Sequence, residues 1–491
     1  MGLLGERDRV GPGEHAAVED VQLLEAAGTQ RGRRESGPRP GVAHEHDVTV
    51  GRQPGVAVGL TGGLGLLAGV PGAGAVINDP TGNGAATLTN TGAGDTLTAL
   101  GAVTTQDFII ENTAGGDGLA GTGAIGITST GLTIRNITGG QGIDLDNVTG
   151  TVTFNNTTVA TTAGNGVDLL NTTANFTGGL DVTTADGIGF NATGGGTVGV
   201  ANAGTERLVA TGTGTALNLD GVTVAAGGIN FDQATTAGTS TGSGIDINDA
   251  MGGAITLASV NIDGTAVTAG LDISGNARTS NVVVSGGTIA NGARINGTGA
   301  GTVQIDANIS ENAGYAVQVT NRNGASGAIT VGGTVTSATG AVSLQNNTGG
   351  DVTFNGTITG TGSNNAGAIN IDATTGGTAT FAGLVDIDVT GAGTGVSIAN
   401  SNAGGTFDFT GGLDIDSVNG TGFEALSGTI SVAATGGDES VTTTAGQAIN
   451  LNGATIGAAG VSFDNLSSAN SAGRGVNLDT IAGTFTVTGT T

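Results

Sequence analysis

Apolar residues recur along this chain in short alternating runs, in which two apolar positions flank one polar residue, often after a glycine. The runs begin with Gly142-Ile143-Asp144-Leu145, Gly166-Val167-Asp168-Leu169 and Gly187-Ile188-Gly189-Phe190. They continue as Leu217-Asn218-Leu219, Ile245-Asp246-Ile247, Leu271-Asp272-Ile273, Ala293-Arg294-Ile295, Val317-Gln318-Val319 and Val342-Ser343-Leu344. The rest are Ile369-Asn370-Ile371, Val396-Ser397-Ile398, Phe423-Glu424-Ala425, Ile449-Asn450-Leu451 and Val476-Asn477-Leu478. These fourteen runs make thirteen intervals over 333 residues, a mean period of 25.6 with individual spacings of 21 to 29. A second apolar pair follows about ten residues after the first, as at Val152/Phe154, Ile255/Leu257, Val303/Ile305, Val352/Phe354 and Phe407/Phe409. A third, weaker apolar position follows at Ile289, Ile309, Val335 and Ile358. Alternation of period two is the signature of strands with one buried face. The spacing therefore predicts three short strands per repeat of ~25 residues.

One such repeat cannot bury its apolar face alone, so it must stack on its neighbours. Stacking sets equivalent strands parallel, ~4.8 Å apart, with Ile, Val and Leu inward and the polar positions outward. The corners need tight bends, which Gly and Asn supply because they tolerate positive φ. Asp146, Asn191, Asp220, Asn248, Asn296, Asp372, Asn452 and Asp479 each follow an opening strand and are expected to form a hydrogen-bonded ladder at one bend. Parallel crossovers wind right-handed. The expected fold is all-β: a right-handed parallel β-helix (β-solenoid) of roughly 16 coils over residues 81–491, a rod about 77 Å long.

Composition supports a solenoid over an ordinary globular fold. The chain has 98 Gly, no Cys, no Trp and only 3% aromatic residues, yet hydrophobic residues reach 37%. Low hydrophobicity, the usual mark of disorder, is absent. With only 6 Pro the chain is not collagen-like. No cysteine means no disulfide framework and no thiolate metal site. All 13 positive side chains are Arg, seven of them within the first 52 residues. From residue 53 onward 31 acids stand against six Arg, a net of −25, which repels nucleic acid and anionic membrane and attracts cations. Nucleic acid is thus not an expected partner, and no segment is apolar enough for membrane insertion as a helix.

Residues 1–52 differ abruptly from the rest: they hold all three His and most of the Arg, and no Pro occurs after Pro80. They are read as an upstream start, a wrong reading frame or a disordered extension. Residues 53–80 are read as a linker or signal-like segment, since 56–75 ends in small residues with a cleavage-like site after Ala75.

The unit Gly131-Leu-Thr-Ile-Arg-Asn-Ile-Thr138, followed by GIDLDNVTGTVTF at 142–154, resembles the pectin-lyase-like right-handed β-helix superfamily. Richness in Gly, Thr and Asn, with little Pro, resembles autotransporter passenger domains and repetitive bacterial surface adhesins. The likeness is one of pattern and composition over residues 81–491. It implies an extracellular or outer-surface location. Autotransporters end in a membrane β-barrel, whereas this sequence stops at Thr491, shortly after Phe485-Thr-Val487. The expectation is a fragment of a longer protein or another export route.

The same superfamily contains polysaccharide hydrolases and lyases. The hydrolases are implied to need His and a basic Arg/Lys pair, and this chain has no Lys at all and no His after residue 52. A Ca²⁺-dependent lyase is implied to need stacked carboxylates and an Arg or Lys base. Arg135, Arg207, Arg278, Arg294, Arg322 and Arg474 are the available bases, with Arg278 and Arg294 one coil after Asp246 and Asp272. If the strands are in register, Asp144 with Asp168 and Asp246 with Asp272 place carboxylates opposite one another. Like charges so placed are unfavourable, and Ca²⁺ with further oxygen ligands relieves them. These four are the candidate metal residues, Ca²⁺ is the candidate cofactor, and no catalytic residue is assigned. The bland alternative is solvated surface acids. The Phe residues are expected as internal stacks rather than an exposed sugar-binding stripe, and variable coil length speaks against ice-lattice matching. The function expected is a structural or adhesive surface rod that meets host-cell, matrix or glycan surfaces along its side. The alternative is a Ca²⁺-dependent polysaccharide lyase or tailspike-like glycan binder.

Overall fold

Among the described residues every strand pairs in parallel with its equivalents one coil away, and no helix is present. The computed structural model describes residues 58–60, 66–68, 74–78 and 85–489, apart from 239–241, 264–267, 362–365 and 435–438. The chain winds as a right-handed parallel β-solenoid. The reading of residues 1–52 lies outside the described residues.

Three faces build each coil. Face 1 is an unbranched ladder of four-residue strands such as Ile143–Asp146, Val167–Leu170, Leu217–Asp220 and Ile245–Asn248. Sixteen of its strands run from Leu97–Ala99 to Val476–Asp479, and so bound fifteen full turns. At ~4.8 Å per turn the rod is about 72 Å long over this stretch. Faces 2 and 3 belong to the second sheet. Early in the rod one long strand, such as Val152–Thr161, serves both; later they separate, as in Ile255–Leu257 and Val260–Ile262. The ladders begin upstream of residue 81: Val58–Leu60, Leu66–Ala68 and Gly74–Asn78 pair with the coil at residues 88–106.

The alternating sequence explains the inside and outside of each face. Ile143/Leu145, Val167/Leu169 and Ile245/Ile247 are buried, while the residues between them point outward. One expected run is out of register. Val167 pairs with Phe190, not Ile188, so Phe190 and Ala192 are the inward residues. Asn191 consequently belongs to the outward column and not to the bend. The apparent spacings of 21 and 29 become 23 and 27. Ile188 misled the alternation because a β-branched apolar residue next to glycine reads like the start of a strand.

The corner after face 1 carries a column of left-handed residues. Asn147, Asn171, Gly194, Gly221, Asp249 and Gly275 all have positive φ, between 46° and 100°. Asn does this at little steric cost, and Gly at none. The expected ladder is present in part: Asn248 Nδ2 donates to Asp220 Oδ1 at 2.7 Å, and Ser274 Oγ to Asn248 Oδ1 at 3.1 Å.

Phenylalanines fill the interior in two columns. Phe154 and Phe176 stack with centroids 5.1 Å apart, then Phe190 and Phe231 continue edge-on. Phe354, Phe381 and Phe409 stack at 5.1 and 4.6 Å, followed by Phe423 and Phe463. The rings are therefore core, not a sugar-binding stripe. Between Phe231 and Phe354 the same face 2 position is aliphatic: Leu257, Val284, Ile305 and Val331.

Candidate functional site

The middle residue of each face 1 strand from Asp144 to Gln318 is half-buried and faces away from the core, so the solenoid lines up one side chain per coil in a column, which Ser343 and Asn370 continue as buried residues. In order it reads Asp144, Asp168, Asn191, Asn218, Asp246, Asp272, Arg294, Gln318, Ser343 and Asn370. Asp144 sits directly opposite Asp168, and Asp246 opposite Asp272, on adjacent strands. The register condition set by the sequence is met. Three coil steps, roughly 14 Å, separate the two pairs, so the four aspartates do not make one centre. Among the described residues no group of three or more acidic or His side chains is arranged to hold a metal ion.

The two pairs differ in their surroundings. Asp168 is well partnered: Asn165 Nδ2 donates to its Oδ2 at 2.7 Å, and Asn191 Nδ2 to its Oδ1 at 2.8 Å. Asp144 faces other carboxylates. Burial, then the charges of Asp117, Asp146 and Asp168, push its carboxyl up to about 7. It therefore keeps its proton in mildly acidic solution, when an ordinary aspartate has lost its own. Asp246 is pushed up to about 6, by burial first and then by Asp272 and Asp220. Burial raises Asp272 too, but the Arg294 guanidinium opposes the shift.

The arginines divide by location. Arg135 pairs with Glu111 at 2.7 Å, and Arg207 grips Asp181 through two contacts of 3.0 Å. Arg278 is not a surface base: it is buried and donates to the Ser280 and Gly301 carbonyls. Its place in sequence near Asp272 concealed that it falls at a corner, where the side chain turns inward. Arg294 alone of the six stands in the outward column, one coil beyond Asp272.

Two polar arrays had escaped the sequence reading. At the corner before face 1 each side-chain oxygen caps the backbone N–H of the next coil. Asp117 N donates to Asp95 Oδ1 at 3.2 Å, Gln141 N to Asp117 Oδ1 at 2.7 Å, Asn165 N to Gln141 Oε1 at 2.6 Å and Ile188 N to Asn165 Oδ1 at 2.8 Å. On face 3, Asp386 lies opposite Asp414 and Asp388 opposite Asp416, and burial raises Asp386 above the usual carboxylate range. The signal was present as Val385-Asp-Ile-Asp-Val389 and Leu413-Asp-Ile-Asp-Ser417, 28 residues apart.

No protein-family model, curated protein or solved structure matches this chain. Its class is thus defined by its own geometry, a parallel β-solenoid with a polar outward column on face 1. No helix among the described residues is long and apolar enough to cross a membrane.

Proposed function

We propose that the chain is an extracellular or outer-cell-surface rod, structural or adhesive, that engages partners along its side. The observation that supports this best is the outward column of face 1. From Asp144 to Gln318 it offers one partly exposed polar side chain every ~4.8 Å over eight coils, suited to an extended ligand such as a glycan chain or a matrix fibre. Such binding is the sum of many weak contacts and grows with the length engaged. The absence of cysteine and the strongly acidic balance fit export and contact with cationic or Ca²⁺-bridged partners. The likeness to pectin-lyase-like and autotransporter passenger rods belongs to this reading and rests on fold and composition.

One arrangement favours a second reading. Asp246, Asp272 and Arg294 occupy three consecutive coils of one face. Two carboxylates for Ca²⁺ and a cation beside them would suit an acidic polysaccharide, either bound or cleaved by β-elimination. In either reading Ca²⁺ takes two carboxylates at Asp144/Asp168 or Asp246/Asp272 and completes its 6–8 oxygens from water or ligand.

The experiment is binding of the full chain to arrayed uronate-containing and neutral glycans and to matrix proteins, with and without Ca²⁺. Product analysis for unsaturated oligosaccharides runs alongside. Retention without cleavage supports the adhesive rod. Release of unsaturated products overturns it in favour of the lyase, and no retention on any surface overturns both.

A further inference from the structure

Two of the six arginines beyond residue 52 do not reach solvent. Arg278 and Arg322 are each 2% exposed. Both sit at the corner between face 1 and face 2: Arg278 between the strands Leu271–Ser274 and Val282–Val284, Arg322 between Tyr315–Thr320 and Ile329–Val331. Arg278 spends its donors on backbone carbonyls, Nη1 on Ser280 O at 2.7 Å and Nη2 on Gly301 O, one coil on, at 2.9 Å. Arg322 donates from Nη2 to Gly327 O. Its Nε and Nη1 are buried and have no acceptor among the described residues.

Among the described residues neither guanidinium meets a carboxylate. Among the described residues the ion pairs are Arg135–Glu111 and Arg207–Asp181, both elsewhere. The two carbonyl acceptors lie in successive coils, since an ideal Cβ on Gly327 would stand 2.3 Å from Gly301 O. The guanidiniums are close enough for the charge of Arg278 to add to burial in lowering Arg322, to about 10. That still leaves Arg322 charged at neutral pH. Two like charges thus share one desolvated corner with no counter-charge among the described residues, although the whole chain carries −27. A buried charge without a partner is strongly unfavourable, and here titration does not relieve it at neutral pH.

We propose that this corner is a monovalent-anion site, occupied by chloride, which accepts from Arg322 Nε and Nη1 and balances the charge of Arg278. Glycines face both guanidiniums where a side chain would crowd them, although Ser326 Cβ also lies 3.2 Å from a Cβ position on Gly350. A Cβ on Gly301 would fall 2.8 Å from Arg278 Nη1, and one on Gly350 would fall 3.4 Å from Arg322 Nε. Coils only ~4.8 Å apart favour a single-atom anion over a tetrahedral oxyanion. An anion that binds the folded chain and not the unfolded one stabilises it in proportion to the logarithm of its concentration.

The test is the thermal midpoint of the full chain in sodium chloride, sodium bromide and sodium gluconate at matched ionic strength. Wild type is expected to melt several degrees higher in the halides, with a midpoint that climbs with halide concentration. Arg322→Met, which keeps the length and removes the charge, is expected to melt identically in all three salts. Crystals grown in bromide are expected to show an anomalous peak within hydrogen-bond reach of Arg322 Nε or Nη1, and this holds for wild type even where the variant does not fold. Equal midpoints in wild type, a halide effect that survives in Arg322→Met, or a corner filled by water without bromide would each overturn the proposal.

Discussion

Residues 190–257 and 423–487 are two versions of one structural module, 232 residues or nine coils apart at Leu217 and Ile449. TVAAGGINF at 223–231 corresponds to TIGAAGVSF at 455–463. In both, a face 1 phenylalanine, Phe190 or Phe423, bridges the aromatic column where face 2 supplies a valine, Val200 or Val432. Both bury a glutamate at the start of face 3, Glu206 and Glu439. Both place left-handed glycines at equivalent bends, Gly196 and Gly428, then Gly228 and Gly460. Their environments differ. Ile245 and Ile247 of the first module are fully buried, whereas their counterparts Val476 and Leu478 are 41% and 43% exposed. A described coil covers the first module and none covers the second. The exposure of the same inward pattern thus depends on whether a described coil stacks on it, as expected of a quasi-one-dimensional structure.

Introducing a charge separates the two modules most strongly. Ile247→Asp buries an unpaired carboxylate and should cost more than about 4 kcal/mol, while in the chain of residues 1–491 Leu478→Asp, placed in the last described coil, should cost less than about 1 kcal/mol. Urea melts of both variants check this, and equal losses would break the comparison. Phe190→Ala and Phe423→Ala should each cost about 3–5 kcal/mol, because both rings are fully buried links of a column. A markedly smaller loss at Phe423 would show that the second module is already loosened.

Acidity tests a different contrast, between carboxylate-lined and amide-lined stretches of the face 1 column. Asp144 is raised from 3.8 to about 7, so its contribution to stability is complete below about 3.8 and is lost as pH rises through about 7. Asp246 follows the same sign, with its loss centred near 6. Asp144→Asn should raise stability at pH 8 by about 1–2 kcal/mol and flatten the fall in melting temperature between pH 5 and pH 8. Millimolar Ca²⁺ should raise the wild-type midpoint at pH 8 by more than that of Asp144→Asn, in which Asp246/Asp272 is intact; the same Ca²⁺ response in both would remove Asp144 from the candidate metal sites. The smallest effect is expected at the bends. An added Cβ meets Ala254 O at 2.8 Å in Gly228→Ala but Thr484 O at 3.4 Å in Gly460→Ala. The first should cost about 1–2 kcal/mol and the second less, both from positive φ and the first also from the clash.

Inward faces were legible in the sequence because alternation at a fixed period is what a stacked strand requires. Thus Ile143/Leu145 and Ile369/Ile371 fell where expected. The run at Ile188 was misplaced because apolar character alone does not fix register, whereas pairing with Val167 does. The aspartate pairs Asp144/Asp168 and Asp246/Asp272 could be read off because each coil offers one outward centre. The corners could not. Whether Arg278 turns in or out depends on backbone direction at a bend, and the capping series Asp95, Asp117, Gln141 and Asn165, though 22 to 24 residues apart, mixes Asp, Gln and Asn outside the apolar alternation. Asp386, Asp388, Asp414 and Asp416 lie on the third strand of the repeat, where the apolar pattern is weakest and the register hardest to read.

The central claim is a stack in which nine coils separate Asn218 from Asn450. The chain has no cysteine, so Asn218→Cys and Asn450→Cys place two spin labels alone on the outward column. Pulsed dipolar spectroscopy should give one narrow distance near 43 Å, nine steps of ~4.8 Å. A broad distribution, or a distance well below 30 Å, would contradict the solenoid and the lateral surface built on it.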